Sequence, residues 1–496
     1  MANPDQVLFT TKRNDEVGRF AVAKQPLKPG DLIFSETPFA YGPKSDSPPL
    51  CLGCFAPADC TVLCTKCSWP VCGPQCEAAA PHKEYECEAF ARAKVKFQPM
   101  EDPTQICLQY ECVTPLRVLL AMEKDPKRWE EEVRIMEAHN DVRRTKPVWQ
   151  FNQVNVVDYL RGPCRCDRFP EDLIHTVCGI LEINAFEARA NSGYLVRCLY
   201  PKLAILSHNC ISNIHHSVAP DDFKVAVRAT VETPEGGELF SSYTYSLWPT
   251  LVRREFLKES KYFECTCKRC CDKTELGTHM GTLKCQKCDN GVILSTDPLS
   301  DSCEWKCTHC EFKTKAGAVR RVFEAIQTEI DAVEMVSGAQ GIEQRESIYR
   351  KYRSVLHPKN AYMTILRTAL TQLYGRAEGY SVEDLPDLLL ERKVELCYQL
   401  LEVLDVVEPG ASRIRGITLY ELHAPLMILA RNEYNSDMIT REEFRKKMQE
   451  AVDILGKSVE ILKNEVPNSN EGRLGLVAQQ AHEGLIKNFE LLIETA

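Results

Sequence analysis

Nowhere in this sequence do apolar residues run on for the roughly 18 positions that a membrane-spanning helix needs, which excludes a transmembrane helix. The opening Met1–Gln6 lacks a basic patch followed by an apolar stretch, so no secretory signal is expected. Positive charge is also short. Against 70 Asp and Glu there are 61 Lys and Arg, a net charge of −9. That balance argues against a general phosphate-binding surface, and direct nucleic-acid recognition is not expected. No clean 34-residue period is present, so pattern alone does not establish a repeat array. What the chain does have is length for three or four domains, and cysteine. Twenty-five cysteines in a chain with no export signal do not read as a disulfide framework, because thiols stay reduced in the cytosol and nucleus. Metal is the alternative, and ligand spacing decides.

Three stretches have that spacing. The first reads Cys51-x2-Cys54, Cys64-x2-Cys67, Cys72-x3-Cys76 and His82-x4-Cys87, eight ligands in 37 residues and enough for two closed tetrahedral sites. So short a segment has little apolar core, and metal binding would supply its folding free energy. Cys60 falls outside the rhythm. The second is Cys265-x-Cys267-x2-Cys270. Three ligands leave a zinc one short, and the adjacent Cys271 would strain the geometry, so a distant donor is expected. The third is Cys285-x2-Cys288 and Cys307-x2-Cys310, separated by eighteen residues, the pattern of a zinc ribbon. Cys303 is left over. About four zinc ions are expected in all.

Between the clusters the pattern changes. Short strands are predicted at Val7–Thr10, Gly18–Val22 and Asp31–Phe34, the last after a Pro29-Gly30 turn, and again at Lys224–Val231 and Glu238–Phe240. The ribbon's Asn290–Leu294 and Glu304–Lys306 suit a hairpin framework. Helices are predicted at Gln105–Met122 and Glu171–Ala190. From about Gly317 onward everything reads helical, with long amphipathic segments at Asp387–Leu404, Glu442–Leu462 and Gly475–Leu492.

Several motifs now line up. Gly18-Arg19-Phe20 and Lys28-Pro29-Gly30-Asp31 precede the cysteine block. Leu199-Tyr200-Pro201 leads to Ser207-His208-Asn209-Cys210-Ile211-Ser212-Asn213. Gly236-Gly237-Glu238-Leu239-Phe240-Ser241-Ser242-Tyr243 and Trp248-Pro249-Thr250 with Arg253-Arg254 follow, then Phe263-x-Cys265-x-Cys267-x2-Cys270. In this order they resemble the SET-and-MYND family of protein lysine methyltransferases, and the ribbon makes the chain resemble most the arthropod SmydA branch. The resemblance implies an α+β protein: a β-rich SET domain interrupted by a MYND zinc finger and a helical insertion, closed by a post-SET zinc and a zinc ribbon, and followed by an all-helical, TPR-like C-terminal domain. The divisions expected are 1–50 for the N-terminal part of SET, 51–87 for MYND, 88–180 for the insertion and 181–248 for the SET core. Residues 249–272 follow as post-SET segment, 273–316 as ribbon and 317–496 as helical domain.

The resemblance also completes the ligand sets. Cys210 becomes the fourth ligand of the post-SET zinc. In the MYND cross-brace Cys51, Cys54, Cys72 and Cys76 take one ion, and Cys64, Cys67, His82 and Cys87 the other, with one residue more between His82 and Cys87 than the family usually has. The implied reaction is S-adenosylmethionine-dependent N-methylation of a lysine on a histone or non-histone protein. Such a site must position an activated methyl group and desolvate an amine of pKa about 10.4. Tyr243 matches the active-site tyrosine and Phe186 an aromatic wall of the lysine channel that Tyr243 shares. Gly18, Arg19, Asn184, Ser207, His208 and Phe263 match cofactor-binding positions. Arg253 and Arg254 read as a solvated or salt-bridged face. Partners implied are a protein substrate lysine and proline-rich peptides at MYND, with no membrane, in the cytoplasm and/or nucleus. The chain departs from the family in the cofactor motifs. Phe20 stands where a second glycine would let backbone approach, and Ser207 where an asparagine would offer its amide; Asn209 and Ser212 also differ. These departures carry the alternative reading, a weakly active or inactive SET/MYND zinc scaffold that mediates protein–protein interactions in transcription regulation.

Overall fold

The computed structural model describes residues 6–15 and 17–494; the reading of Met1–Gln6 falls almost wholly outside them. Among these residues no helix is long and apolar enough to cross a membrane. The protein is α+β. It divides into two units interleaved along the chain: Met1–Phe20, Leu32–Leu206 and His216–Val227 form the first, and Ala21–Asp31, Ser207–His215 and Arg228–Ala496 the second.

Ten strands precede the ribbon: β1 (Phe9–Asn14), β2 (Gly18–Ala23), β3 (Leu32–Glu36), β4 (Ala40–Pro43), β5 (Ala185–Arg189), β6 (Leu195–Leu199), β7 (Ser207–His208), β8 (Ile214–Val218), β9 (Val225–Ala229) and β10 (Glu238–Ser241). In the first unit β4, β6 and β5 form one antiparallel sheet, with Tyr41 opposite Cys198 and Phe186 opposite the same residue on the other side. There the structure corrects the sequence reading. The helix expected over Glu171–Ala190 spans Glu171–Asn184, and Ala185–Arg189 pairs with β6 from Leu199 to Leu195. Local propensity lost to tertiary strand pairing. The helix expected from Gln105 begins only at Val113, after a short 3-10 turn at Leu108–Tyr110, and Pro115 is tolerated in its first turn.

In the second unit Ala21 and Val22 of β2 pair antiparallel with Leu239 and Glu238 of β10. β10 in turn runs parallel to β7, with Phe240 opposite Ser207 and Ser241 opposite His208. The ribbon is a four-stranded antiparallel sheet of β11 (Leu283–Lys284), β12 (Val292–Ser295), β13 (Glu304–Cys307) and β14 (Lys313–Lys315). Its Trp305 and Ile293 join a core with Phe323, Ile326 and Leu366 of the helices that follow. Those helices span Ala316–Ala332, Gly338–Tyr352, Ala361–Leu373, Asp387–Val407, Arg413–Asn435, Arg441–Leu462 and Asn470–Glu494. The sixth starts from a capping box in which the Thr440 hydroxyl accepts the Glu443 N–H and the Glu443 carboxylate accepts the Thr440 N–H. The helical region is fastened to the segment after β10, where Leu247 and Met280 pack with Leu400, Val403, Leu404 and Val407. It is also fastened to the start of β8, where Glu465 binds His215 at 2.8 Å and Arg413 at 2.8 Å.

Candidate active site and metal centres

Four groups of ligands converge: Cys51, Cys54, Cys72 and Cys76; Cys64, Cys67, His82 and Cys87; Cys210, Cys265, Cys267 and Cys270; and Cys285, Cys288, Cys307 and Cys310. Within each group the ligand atoms lie within 4.8 Å of one another. With Zn–S bonds of about 2.3 Å, tetrahedral geometry puts neighbouring sulfurs about 3.8 Å apart. The observed separations match: Cys54–Cys72 3.6 Å, Cys64–Cys87 3.7 Å, Cys210–Cys265 3.9 Å, Cys210–Cys270 3.5 Å, Cys285–Cys310 3.7 Å and Cys288–Cys307 3.6 Å. These spacings are far too long for disulfides and suit a tetrahedral thiophilic ion. His82 turns its Nε2 into its cluster, 3.7 Å from Cys67 Sγ, so the extra residue before Cys87 is accommodated. The backbone is shaped around the sulfurs. A Cβ on Gly291 would lie 2.2 Å from Cys307 Sγ and 2.8 Å from Cys288 Sγ, and one on Gly53 would lie 2.5 Å from the Cys76 carbonyl oxygen.

Behind His82 lies a network that the cysteine spacing did not reveal. His82 Nδ1 meets Glu86 at 2.9 Å. Glu86 takes two hydrogen bonds of 2.7 Å from Arg117, which also donates to the carbonyls of Tyr41 and Leu52. All three side chains are buried. A carboxylate on Nδ1 fixes the tautomer that leaves Nε2 free to ligate. The sequence signal for it was the i, i+4 spacing of His82 and Glu86, next to the ligand Cys87.

The cysteine set at 265–270 is completed by Cys210, on the loop after β7. Its core also takes in Leu257, with Tyr243, Phe256, Phe263 and Leu299 packed against it. His208 has both ring nitrogens committed: Nε2 lies 3.3 Å from Cys210 Sγ, and Nδ1 accepts the Tyr243 backbone N–H at 3.0 Å. The rings of His208, Tyr243 and Phe263 form a corner, with centroids 5.2, 5.8 and 6.4 Å apart. Burial pushes the Tyr243 phenol well above its ordinary range, so it is neutral. Ser207 Oγ is buried, and its interaction with the Glu238 carboxyl partly offsets the rise that burial imposes on that group. Arg253 and Arg254, read from sequence as a solvated or salt-bridged face, are 0% and 4% exposed and ion-paired, to Glu275 at 2.8 Å and Glu264 at 3.5 Å. They are held inward because Arg253 bonds the cluster's sulfurs and Arg254 donates to the Cys265 and Leu299 carbonyls.

The remaining sequence-predicted residues belong to the first unit. Gly18 opens β2 with φ +70 and open space where a side chain would begin. Arg19 Nη2 donates to the Ile135 carbonyl at 3.2 Å; burial and the neighbouring Arg13 both press against its charge, with Glu137 in its favour. Asn184 ends its helix and donates to the carbonyls of Glu137 (2.9 Å) and Ile180 (3.1 Å). Phe186 lies on β5, 6.1 Å from the Tyr200 ring and 5.8 Å from the His216 ring. Arg19 also lines a cavity of about 250 Å³ with Phe9, Glu131, Glu132, Lys202 and Ile205.

No family model matches the chain. The Drosophila melanogaster SET domain-containing protein SmydA-8, isoform A, is 32% identical over 326 residues, 62% of this chain and 66% of that protein. The Danio rerio N-lysine methyltransferase SMYD2-A is 26% identical over 267 residues, covering 52% and 59%. The Mus musculus histone-lysine N-methyltransferase SMYD3 is 26% identical over 278 residues, covering 53% and 60%. The chain thus spans somewhat under two thirds of the length of these curated relatives. Among solved structures, the SET domain of LSMT bound to lysine and AdoHcy aligns at 11% identity and a TM-score of 0.30, covering 84% of this chain and 88% of that one; likeness at that level carries no argument.

Proposed function

We propose that this chain, which belongs to the SET-and-MYND family, is an S-adenosylmethionine-dependent protein lysine N-methyltransferase built around four zinc ions. The observation that carries the reading is the corner of Tyr243, His208 and Phe263, set on the Cys210 cluster, with Ser207 next to His208 on β7. S-adenosylmethionine supplies the activated methyl group. The chain's own work is to hold, orient and dry the reactants.

In this reading Ser207 contacts the cofactor and Phe263 packs on it, while His208 contributes its backbone, since both ring nitrogens are engaged. Gly18, Arg19 and Asn184 are the first unit's cofactor-binding residues. In the cavity beside Arg19, Arg19 and Lys202 suit a carboxylate, and Glu131 and Glu132 suit an ammonium group or ribose hydroxyls, the polar groups that an amino-acid nucleoside carries. Phe186 and Tyr243 are the residues that the family resemblance assigns to the substrate lysine. The neutral Tyr243 hydroxyl orients the incoming amine in the transition state, so its loss should appear in the rate rather than in cofactor affinity. The MYND module, with its two zinc sites, takes proline-rich peptides.

The test is a titration of the full chain with S-adenosylmethionine, followed by turnover on lysine-bearing protein. Wild type should bind, and Tyr243→Phe should lose most turnover while keeping most affinity. If wild type shows no binding at millimolar cofactor while Phe20→Gly with Ser207→Asn does bind, the SET domain serves as a scaffold and the methyltransferase reading falls.

A further inference from the structure

The cluster of Cys210, Cys265, Cys267 and Cys270 sits against a buried ionic group that ligand counting does not require. Arg253, 0% exposed, points Nε at Cys210 Sγ (3.3 Å) and Nη2 at Cys270 Sγ (3.7 Å). Its Nη1 donates to Glu275 at 2.8 Å, and its Nη2 to the Thr250 hydroxyl at 2.8 Å. Arg269, equally buried, binds the same Glu275 oxygen at 3.0 Å and the Ser246 carbonyl at 2.7 Å. Two guanidinium groups against one carboxylate leave an uncompensated buried positive charge, which by itself would be strongly unfavourable. Four thiolates on a divalent zinc carry two negative charges. Each side supplies what the other lacks.

We propose that Arg253 is the charge-compensating partner of this zinc site and protects its thiolates from electrophiles and from loss of metal; the proposal rests on the zinc reading of the cluster. A zinc-bound thiolate is already ionised, so a neighbouring cation cannot activate it by removing a proton. A charged N–H on the sulfur lone pair instead draws density from the nucleophile, and nucleophilicity falls with basicity. Arg253 serves two of the four sulfurs at once, which a lysine ammonium on a flexible stem does less well. The ribbon cluster is held differently: backbone N–H groups of Lys287 and His309 reach Cys285 and Cys307 at 3.3 Å, and its Cys288, Cys307 and Cys310 are partly exposed.

The experiment treats the zinc-loaded full chain with N-ethylmaleimide in the presence of a chromophoric chelator. Each thiolate adds across the maleimide double bond, forming a C–S bond while water supplies the proton to carbon. Zinc release is followed by absorbance, and the alkylated cysteines are located by mass spectrometry. In wild type Cys210, Cys265, Cys267 and Cys270 should be the last ligands modified. Arg253→Met should speed modification at these four by tenfold or more and leave the other twelve ligands unchanged, with Arg253→Lys between. Unchanged rates in an Arg253→Met protein that holds four zinc ions overturn the proposal alone. If Arg253→Met does not retain its zinc, Arg253→Lys decides, and a wild-type rate there overturns it. A wild type that carries no metal at this cluster overturns the zinc reading and the proposal together.

Discussion

His208 joins Cys210, a member of the four-cysteine cluster, to the backbone of Tyr243: its Nε2 lies 3.3 Å from the Cys210 sulfur, and its Nδ1 accepts the Tyr243 N–H at 3.0 Å. A sulfur acceptor on one side and an N–H donor on the other fix the ring as the Nε2–H tautomer. The metal cluster and the proposed catalytic tyrosine are therefore one mechanical assembly.

Removal of the ligand at its centre should show this. Cys210→Ser is expected to lower zinc content from four to three per chain by elemental analysis. It should also weaken S-adenosylmethionine binding, because the same loop carries Ser207 and His208. Retention of all four ions would shift the fourth ligand to the exposed Cys271.

Within the first unit, Glu86→Gln leaves Arg117 buried without its counter-charge and His82 without its carboxylate. We expect a 10- to 100-fold loss of zinc affinity at the Cys64–Cys67–His82–Cys87 site by competitive chelation. A stability loss of about 3–5 kcal/mol should accompany it in urea unfolding. A variant with wild-type zinc affinity would show that the Glu86–Arg117 pair only packs the finger.

Acid should loosen the clasp between β8 and the helical region. Burial alone would raise the Glu465 carboxyl, but the hydrogen bond and charge of His215, and then those of Arg413, outweigh it and bring it down to about 2 from 4.5. A depressed carboxyl contributes stability that is fully present above pH 4.5 and lost as pH falls through 2. Glu465→Gln should therefore be less stable than wild type at neutral pH, and the two should converge as pH drops across that window. The difference between them is the readout, since protonation of the cysteine ligands affects both proteins alike.

The ten cysteines outside the clusters should be free thiols, and their exposure ranks them. Cys271 is exposed, Cys60 and Cys303 are partly exposed, and Cys107, Cys112, Cys164, Cys166, Cys178, Cys198 and Cys397 are buried. Brief treatment of the native protein with iodoacetamide should label Cys271 first and the buried seven only after denaturation. Early labelling of a buried member would mean local opening of its segment.

Much of this was legible in the residues. Cysteine spacing alone located the ribbon cluster and the eight ligands of the first block, because a tetrahedral ion needs knuckles at short, regular intervals. The long amphipathic helices from Ala316 onward were equally visible, since a 3.6-residue period is a local property. The motif order pointed to Cys210 as the missing ligand, and the fold brought it within 3.5 Å of Cys270. What depends on distant strands was not legible. Ala185–Arg189 continues a helical pattern in sequence, yet pairing with β6 makes it a strand, because backbone hydrogen bonds to a neighbour outweigh intrinsic preference. Arg253 read as part of a solvated or salt-bridged face, and the fold chose the salt bridge, since charged side chains are rarely buried unless paired. Its partners, Cys210 and Glu275, lie 43 and 22 residues away in sequence, and only the tertiary structure could bring them to it.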